Sequence, residues 1–422
     1  MRTPLQLLVA CIVICGATTI AAPATMEEMQ ASVNALEARL RAQQGRLEQL
    51  EARATQDVKL EMAKVAKELA AEAAKRSAYP AWLDNLKFSG DLRLRYQNIC
   101  AEDSDDTRRS KNRNRARFRL RFGLIKTWLD EQLTVGFRLA SGDGSNAPYY
   151  SHDDPTTTNQ TFTGLFNRKA IWIDRAYAIY KPKAIKGLTI AAGKLGVPFV
   201  HTDLIWDSDL NVEGVWAQYA RAFGPIEPFI NAGYFIGEDD YSGDSQYDAV
   251  LMFYQLGMNC QVIKGLKWTF AASYYDYDHT DIIPNGEYQM INLTNTVAFR
   301  LFDLPWAAYV DYVHNCANKL TSGDEESQDD GIAVGLTVGK NARKGDWSVG
   351  YKYAYIETYC TPGILNDADF GHTNIRGHVL GATYNLTDFL TLGGTVFLCQ
   401  RIAGPQEGVE SVDTRVDLVW KF

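Results

Sequence analysis

Alternation of polar and apolar side chains organises most of this chain, and it is clearest between Arg113 and Leu124. Arginine stands at every second position from 113 to 121, with Phe118, Leu120 and Phe122 interleaved. Because successive side chains of a strand point to opposite faces, this period places the arginines on one face and the apolar side chains on the other. A soluble sandwich and a transmembrane barrel with a watery lumen both accommodate such a strand. The stretch alone therefore leaves the fold class open.

The same period-two pattern continues to the C-terminus and predicts sixteen strands, each about long enough to cross a bilayer at a tilt. We predict them near 86–97, 113–124, 132–140, 170–181, 187–197, 213–221, 226–236, 248–262, 266–276, 288–301, 306–314, 331–339, 347–357, 374–385, 389–399 and 411–422. Asp174 and Arg175 interrupt the alternation. One of these charges would face lipid unless a β-bulge occurs there.

The connections between these strands alternate between long and short. The long ones are rich in Asp, Ser, Thr, Asn and Gly, whereas the short ones contain turn residues such as Lys181-Pro182-Lys183 and Phe223-Gly224-Pro225. Long loops at one end and short turns at the other are typical of outer-membrane barrels. The pattern therefore predicts an all-β fold over residues 81–422, a 16-stranded antiparallel transmembrane β-barrel.

A different period precedes the barrel. Residues 26–76 carry apolar side chains at alternating spacings of three and four, among them Leu36, Leu40 and Leu47, and the flanking positions are mostly Glu, Arg, Gln and Lys. This pattern predicts an α-helical coiled coil within 25–80, about 75 Å long at the helical rise. Because a lone helix with so narrow an apolar stripe would not persist, the pattern implies self-association. A helix packed on its own barrel is the alternative.

Residues 1–24 have the pattern of a secretory signal peptide. Arg2 provides a basic start, and an apolar run extends from Leu5 to Ile14. Ala22-Pro23-Ala24 and Thr19-Ile20-Ala21 are two candidate cleavage sites. An N-terminal core helix is the alternative. The signal predicts an exported mature chain, with the coiled coil in the periplasm and the barrel in the bacterial outer membrane.

The last predicted strand ends on an aromatic residue. Val412, Val416, Leu418, Trp420 and Phe422 share one face, and Phe422 closes the sequence. This arrangement resembles the C-terminal signal by which outer-membrane proteins are recognised for insertion. We therefore predict that Phe422 is part of an insertion signal.

With these motifs, residues 85–422 resemble the β-barrel porins of Gram-negative bacteria. The residues that carry the resemblance are Phe88–Tyr96, Arg115–Gly123, Ile173–Tyr177, Ala192–Lys194, Pro198-Phe199, Leu204–Asn211 and Glu213-Gly214. The resemblance implies passive diffusion of small hydrophilic solutes across the outer membrane. It assigns no solute to individual residues.

One wall of the predicted lumen is strongly basic. In a closed barrel the first three strands and the last one are neighbours, and their arginines fall on the face opposite the apolar one. The predicted pore-lining residues are Arg93, Arg95, Arg113, Arg115, Arg117, Arg119, Arg121, Arg138 and Arg415. Because rows of arginine favour anions, we predict a channel that prefers anions. The alternative is that these arginines pair with lumen acids and fill the barrel.

Three acids in one long connection are candidates for a constriction. Asp203, Asp207 and Asp209 lie in the predicted loop that follows the fifth strand. An acidic loop folded inward against a basic wall would produce an electric field across the pore. We therefore predict that this loop narrows the lumen.

Composition and motifs narrow the partners. The mild net charge of −8 gives no reason to expect nucleic acid, and the six histidines show no spacing that suits a metal. We expect no metal, no cofactor and no enzymatic activity. The expected partners are outer-membrane lipid, small hydrophilic solutes, further copies in a homotrimer by analogy with sixteen-stranded porins, and peptidoglycan if the coil binds it. In that last case, the alternative function is a structural anchor that tethers the envelope.

Four of the five cysteines beyond the signal peptide fall at the long-loop ends of predicted strands, at Cys100, Cys316, Cys360 and Cys399. Exported compartments permit disulfides. Strands two apart are separated by about 10 Å, which is too far for a bond between rigid strand positions, but Cys360 begins a loop that can lean toward Cys399. The pattern favours a Cys360–Cys399 bridge, with Cys316–Cys360 as its rival and unpaired thiols as the alternative.

Overall fold

The computed structural model describes residues 25–77, 83–101, 111–142, 154–238, 249–261, 263–278, 287–317 and 328–422. The chain divides into two units after Asp84, an N-terminal helical unit and a C-terminal β unit. The predicted signal peptide, residues 1–24, lies outside the described residues.

The N-terminal unit contains one long helix, α1, Met26–Ser77, of 52 residues. The predicted helix is thus confirmed. Its apolar seam is open to solvent, since Leu36 and Leu69 are 66% and 61% exposed. No helix in the described parts of the chain is both long and apolar enough to span a bilayer.

The β unit is one antiparallel sheet that closes on itself, and the predicted barrel of sixteen long strands is confirmed. A further two-residue strand, β4, pairs with Arg117 and Phe118 of β2. The strands are β1 Leu86–Ala101, β2 Lys111–Trp128, β3 Leu133–Ser141, β4 Gln160–Thr161, β5 Ile171–Tyr180, β6 Leu188–Gly196, β7 Asn211–Ala220, β8 Ile226–Glu238, β9 Ala249–Cys260, β10 Lys267–Asp278, β11 Tyr288–Leu301, β12 Leu304–Asn315, β13 Asp330–Gly339, β14 Trp347–Ile356, β15 Ile375–Asn385, β16 Leu390–Arg401 and β17 Glu410–Lys421.

The first and last strands meet at a seam that the chain terminus completes. β1 pairs with β2 on one side and with β17 on the other. The backbone of Phe422 exchanges two hydrogen bonds with Gly90, of 2.8 and 3.1 Å, and its ring stacks on Phe88. A Cβ at Gly90 would lie 2.5 Å from both the Phe422 ring and the Arg121 carbonyl oxygen. Only glycine therefore fits at this point of the seam.

A bulge in β5 keeps two neighbouring charges on the lumen side. Arg138 pairs with Arg175 and Leu139 pairs with Ile173, so Asp174 is the extra residue. Such a bulge shifts the alternation by one residue. Asp174 then binds Arg138, while Arg175 donates a hydrogen bond of 2.7 Å to the side chain of Asn211. The bulge that the adjacent charges require is present.

Three connecting segments fold into the barrel and occupy much of its interior. We call them the 154–162 segment, the 197–210 loop and the 357–374 loop. Phe199 and Trp206 of the 197–210 loop pack against Phe253 of β9 and Tyr275 of β10. These aromatic side chains are at most 6% exposed. The apolar core of the β unit therefore lies inside the barrel.

Candidate functional site

The basic wall predicted from the alternation exists, and five of its arginines form ion pairs. Their carboxylate partners come from both the wall and the inward segments. Arg95 binds Asp417 and Asp369, Arg415 binds Asp413 and Asp369, Arg119 binds Asp91, Arg121 binds Asp91 and Asp209, and Arg138 binds Asp174. These pairs fix the guanidinium groups in place. This part of the wall agrees with the reading in which arginines pair with lumen acids.

Three other arginines, Arg93, Arg115 and Arg117, form no ion pair within the described residues. Arg93 donates a hydrogen bond of 2.6 Å to the Asn159 side chain, and Arg115 donates one of 2.7 Å to Gln97. Arg117 has only longer contacts, 3.4 and 3.5 Å, to the 154–162 segment. The Nε atoms of Arg93 and Arg117 have no hydrogen-bond partner in the described structure. Within the described structure, these three guanidinium groups thus have no carboxylate at ion-pair distance.

Arg113 differs from the rest of the row. It is exposed near the long-loop end of β2, whereas Arg95, Arg117 and Arg415 are at most 7% exposed. The 154–162 segment and the 357–374 loop cover these buried side chains. Three of the nine predicted pore-lining residues, Arg95, Arg117 and Arg415, therefore lie behind inward-folded chain.

Of the three predicted loop acids, Asp207 and Asp209 are buried, whereas the Asp203 side chain is 36% exposed, and the three serve different contacts. Asp209 binds Arg121 at 3.3 Å and accepts hydrogen bonds of 3.1 and 2.9 Å from the backbone and hydroxyl of Thr158. Asp203 does not meet the arginine wall, because it binds Lys352 at 2.6 Å. Asp207 accepts a hydrogen bond of 3.0 Å from the backbone of Ala368. Of the three acids, only Asp209 faces the basic wall as expected.

The pKa values of the loop acids follow from burial and charge. Burial raises the pKa of Asp207 to about 8. Burial also disfavours ionised Asp209, but Arg119 and Arg121 outweigh it and hold its pKa below the ordinary range. The same balance, with Arg415 and Arg95 as the cations, lowers the pKa of Asp369 to about 2. The acids next to the arginines are therefore anionic, while Asp207 is mostly neutral at pH 7.

A second polar cluster joins the two inward loops to β14. Lys352 lies between Asp203 of the 197–210 loop and Asp367 of the 357–374 loop, at 2.6 and 2.9 Å. Its ammonium group also lies 4.8 Å from the centre of the Phe370 ring. The backbone of Asp207 donates a hydrogen bond of 2.8 Å to the Leu365 carbonyl oxygen, which links the loops directly. The inward loops are thus one connected assembly.

A basic chamber remains open on the short-turn side of this assembly. It has a volume of about 430 Å³, and Asp91, Arg119, Arg121, Arg138 and Arg175 line part of it. Three of these four arginines are ion-paired, Arg119 and Arg121 with Asp91 and Arg138 with Asp174. Within the described ranges, no group of three or more His, Cys, Asp or Glu residues is arranged to hold a metal ion.

Several residues of the lumen were not identified from the sequence. These are Lys352, the acids Asp367 and Asp369, the polar 154–162 segment, and the inward aromatics Phe199 and Trp206. The one available signal was aromatic: Phe199, Trp206 and Phe370 stand in long connections that are otherwise polar. Large apolar side chains in a long loop indicate that the loop packs against something.

The predicted disulfide is wrong in this structure. All five described cysteines are free thiols. Cys360 is fully buried and its thiol donates a hydrogen bond of 3.2 Å to the Glu357 carbonyl oxygen. Cys399 lies on the inner face of β16, and Cys316 is exposed. The 357–374 loop folds into the lumen instead of leaning over the rim, so the expected approach of Cys360 to Cys399 does not occur.

Comparison with known proteins gives both a family and a fold. The sequence matches the family model described as "Putative porin" over residues 46–111, 106–308 and 285–422. No curated protein gives a significant match. The structure is similar to that of OprB from Pseudomonas putida, with a TM-score of 0.52 and 12% identity over 80% of this chain and 94% of that one. Two variants of the Rhodopseudomonas blastica porin give TM-scores of 0.45 and 0.44 at 12% and 13% identity, over 80% of this chain and all of theirs.

The family match extends over most of the chain and includes every strand of the barrel. It agrees with the closed antiparallel sheet, and it supports a channel in the outer membrane rather than an enzyme. The chain belongs to this porin family.

Proposed function

We propose that the barrel is a passive channel for small hydrophilic solutes that favours anions over cations. The observation that carries the proposal is the positive charge of Arg93, Arg115 and Arg117, for which the described residues provide no ion pair. Three cations with no carboxylate at ion-pair distance in the described residues raise the local concentration of anions and disfavour cations. The paired arginines add little to selectivity because their carboxylates cancel most of their field.

The inward loops define where selection takes place. They leave the basic chamber on the short-turn side and the exposed Arg113 on the long-loop side, with the three unpaired arginines between. A small anion moving along this wall passes from one set of guanidinium groups to the next. The low dielectric of the packed loops increases the effect of each charge compared with bulk water.

Reversal potentials in a salt gradient test the proposal. Wild-type barrels in planar bilayers should show an anion-selective potential, and Arg115→Glu with Arg117→Glu should move it toward cation selectivity. A matched control is Arg221→Glu with Arg300→Glu, which changes the same charge at the short turns outside the wall. An unchanged potential in the wall variant, or an equal shift in the control, would refute anion selection by these arginines.

The helical unit supports a second proposal, for assembly. The exposed apolar seam of α1 is the surface that a coiled coil buries between copies of the chain. We propose a homotrimer in the outer membrane, with the coiled coil in the periplasm. The competing role is an anchor that binds peptidoglycan through the coil, and absence of any single-channel conductance would favour that role over the channel.

A further inference from the structure

We propose that the barrel has a second ligand site, separate from the ion pathway: a side pocket through the wall that binds one alkyl chain from the surrounding bilayer. The pocket lies between β5 and β8, where the hairpin of β6 and β7 is short. The proposal rests on the strand pairing, on which faces line the pocket, and on the chemistry of that lining.

The wall is incomplete at the long-loop end of this hairpin. β5 and β6 pair from Tyr180 only as far as Ala176, although β5 continues to Ile171. β7 and β8 pair only as far as Gly214, although β8 continues to Glu238. The tip of the β6–β7 hairpin therefore has no backbone ladder to either neighbouring strand in the described sheet.

A cavity of about 720 Å³ occupies this gap. Trp172, Val212 and Phe235 line it from the lumen face of their strands. Ile173 and Ile236 line it too, yet they lie on the outer face and are 66% and 47% exposed. Because neighbouring residues of a strand point to opposite faces, a cavity lined by both Trp172 and Ile173 passes through the wall.

The lining is mostly apolar, and it also includes the charged side chains of Asp154, Asp174, Lys194 and Glu213. Trp206 and Leu210 of the 197–210 loop, together with Leu251, form its inner end. The volume falls within the range of about 300–1,000 Å³ that small-ligand pockets occupy.

The alkyl chain comes from the bilayer because the outer mouth of the cavity opens on the lipid-facing side of the barrel. Ile171, Ile173 and Ile236 are apolar, exposed and on the face that meets hydrocarbon in a barrel of this class. A chain that leaves the bilayer here meets the apolar side chains of the lining and passes the Lys194–Glu213 ion pair, whose Glu213 side chain is 60% exposed. Its stabilisation comes from close packing against the tryptophan and leucine side chains.

Tryptophan quenching by brominated phospholipid tests the site. The barrel is reconstituted in vesicles of phosphatidylcholine brominated along its acyl chains, and the quenched fraction of tryptophan fluorescence is compared with unbrominated vesicles. Trp172 faces the lumen, so bromine reaches it only if a chain enters the wall. The quenched emission should therefore fall in Trp172→Phe. Trp216→Phe, which removes an equally inward tryptophan outside the cavity, should leave the quenched emission unchanged.

A variant that fills the cavity distinguishes entry of an alkyl chain from a local folding defect. Val212→Phe places a larger side chain in the cavity and should protect Trp172 from bromine. Val215→Phe makes the same change on the outer face of the same strand and should not. Equal effects of Trp172→Phe and Trp216→Phe would overturn the proposal, as would a Val212→Phe barrel that is quenched like wild type.

Discussion

Replacing Lys352 with methionine should release the two inward loops from the wall. The ammonium group is the only cation in contact with Asp203 and Asp367 within the described structure, at 2.6 and 2.9 Å, and its side chain is 13% exposed. Methionine retains most of the apolar stem but leaves the buried carboxylate of Asp367 and the partly exposed carboxylate of Asp203 without their cation. The loops must then either bind protons or move toward water.

The size of the effect follows from the burial of this triad. Removing one partner of a buried ion pair costs about 3–5 kcal/mol, because the remaining charge is left uncompensated. That energy changes the ratio of released to docked loops by a factor of about 10² to 10⁴. The barrel ladder is untouched, since the backbone of Lys352 stays paired between β13 and β15. We expect a folded barrel with a wider lumen.

Single-channel conductance is the assay. Lys352→Met should conduct more than wild type at pH 8, and the difference should shrink at pH 5, since burial already raises the pKa of Asp367 to about 6 and removal of the lysine raises it further. The control is Lys352→Met combined with Asp203→Asn and Asp367→Asn, which is neutral and should return toward the wild-type conductance. If Lys352→Met conducts like wild type at both pH values, the lysine does not hold the loops.

Three further predictions concern pH, assembly and the thiols. Burial raises the pKa of Asp207 from 3.8 to about 8, so the docked loop holds a proton that a released loop loses. Docking should therefore weaken, and conductance should rise, as the pH increases from about 4 to 8. Asp207→Asn should flatten this pH dependence of the conductance. Deleting 26–77 should weaken the oligomer in mild detergent, measured by sedimentation; a truncated barrel that remains equally trimeric would assign the coil another role. In native protein, a thiol reagent should modify the exposed Cys316 rapidly and the buried Cys360 only after unfolding; rapid labelling of both, or recovery of a linked peptide, would contradict the structure.

The barrel could be predicted from the sequence because its determinants are local. Alternation along each strand and the turn residues between strands act over a few positions, and the observed strands 288–301 and 375–385 agree with prediction to within a residue at each end. The conflict at Asp174 and Arg175 is visible in the sequence for the same reason. Two adjacent charges on a strand cannot both point away from lipid without a β-bulge.

The contents of the lumen could not be predicted in the same way. Asp209 and Arg121 are 88 positions apart, and Lys352 and Asp203 are 149 apart. The acids of the 197–210 loop favour an inward position against a basic wall, and the aromatics Phe199, Trp206 and Phe370 also indicate inward packing. The individual contacts depend on partners that only the fold brings together.

The seam at Gly90 and Phe422 has a consequence for the order of folding. Every other junction between long strands joins neighbours in sequence, whereas β1 and β17 meet through contacts such as that of Arg95 and Asp417, 322 positions apart. Closing a loop of that length costs about 5 kcal/mol of chain entropy, roughly 2.5 kcal/mol more than closing a hairpin of about 20 residues. Because hairpins form from neighbouring strands at lower cost, the sheet should grow as an open ribbon and close last. The slowest step would then be the meeting of its two edges, so destabilising changes at Gly90 should slow closure more than equal changes within any hairpin.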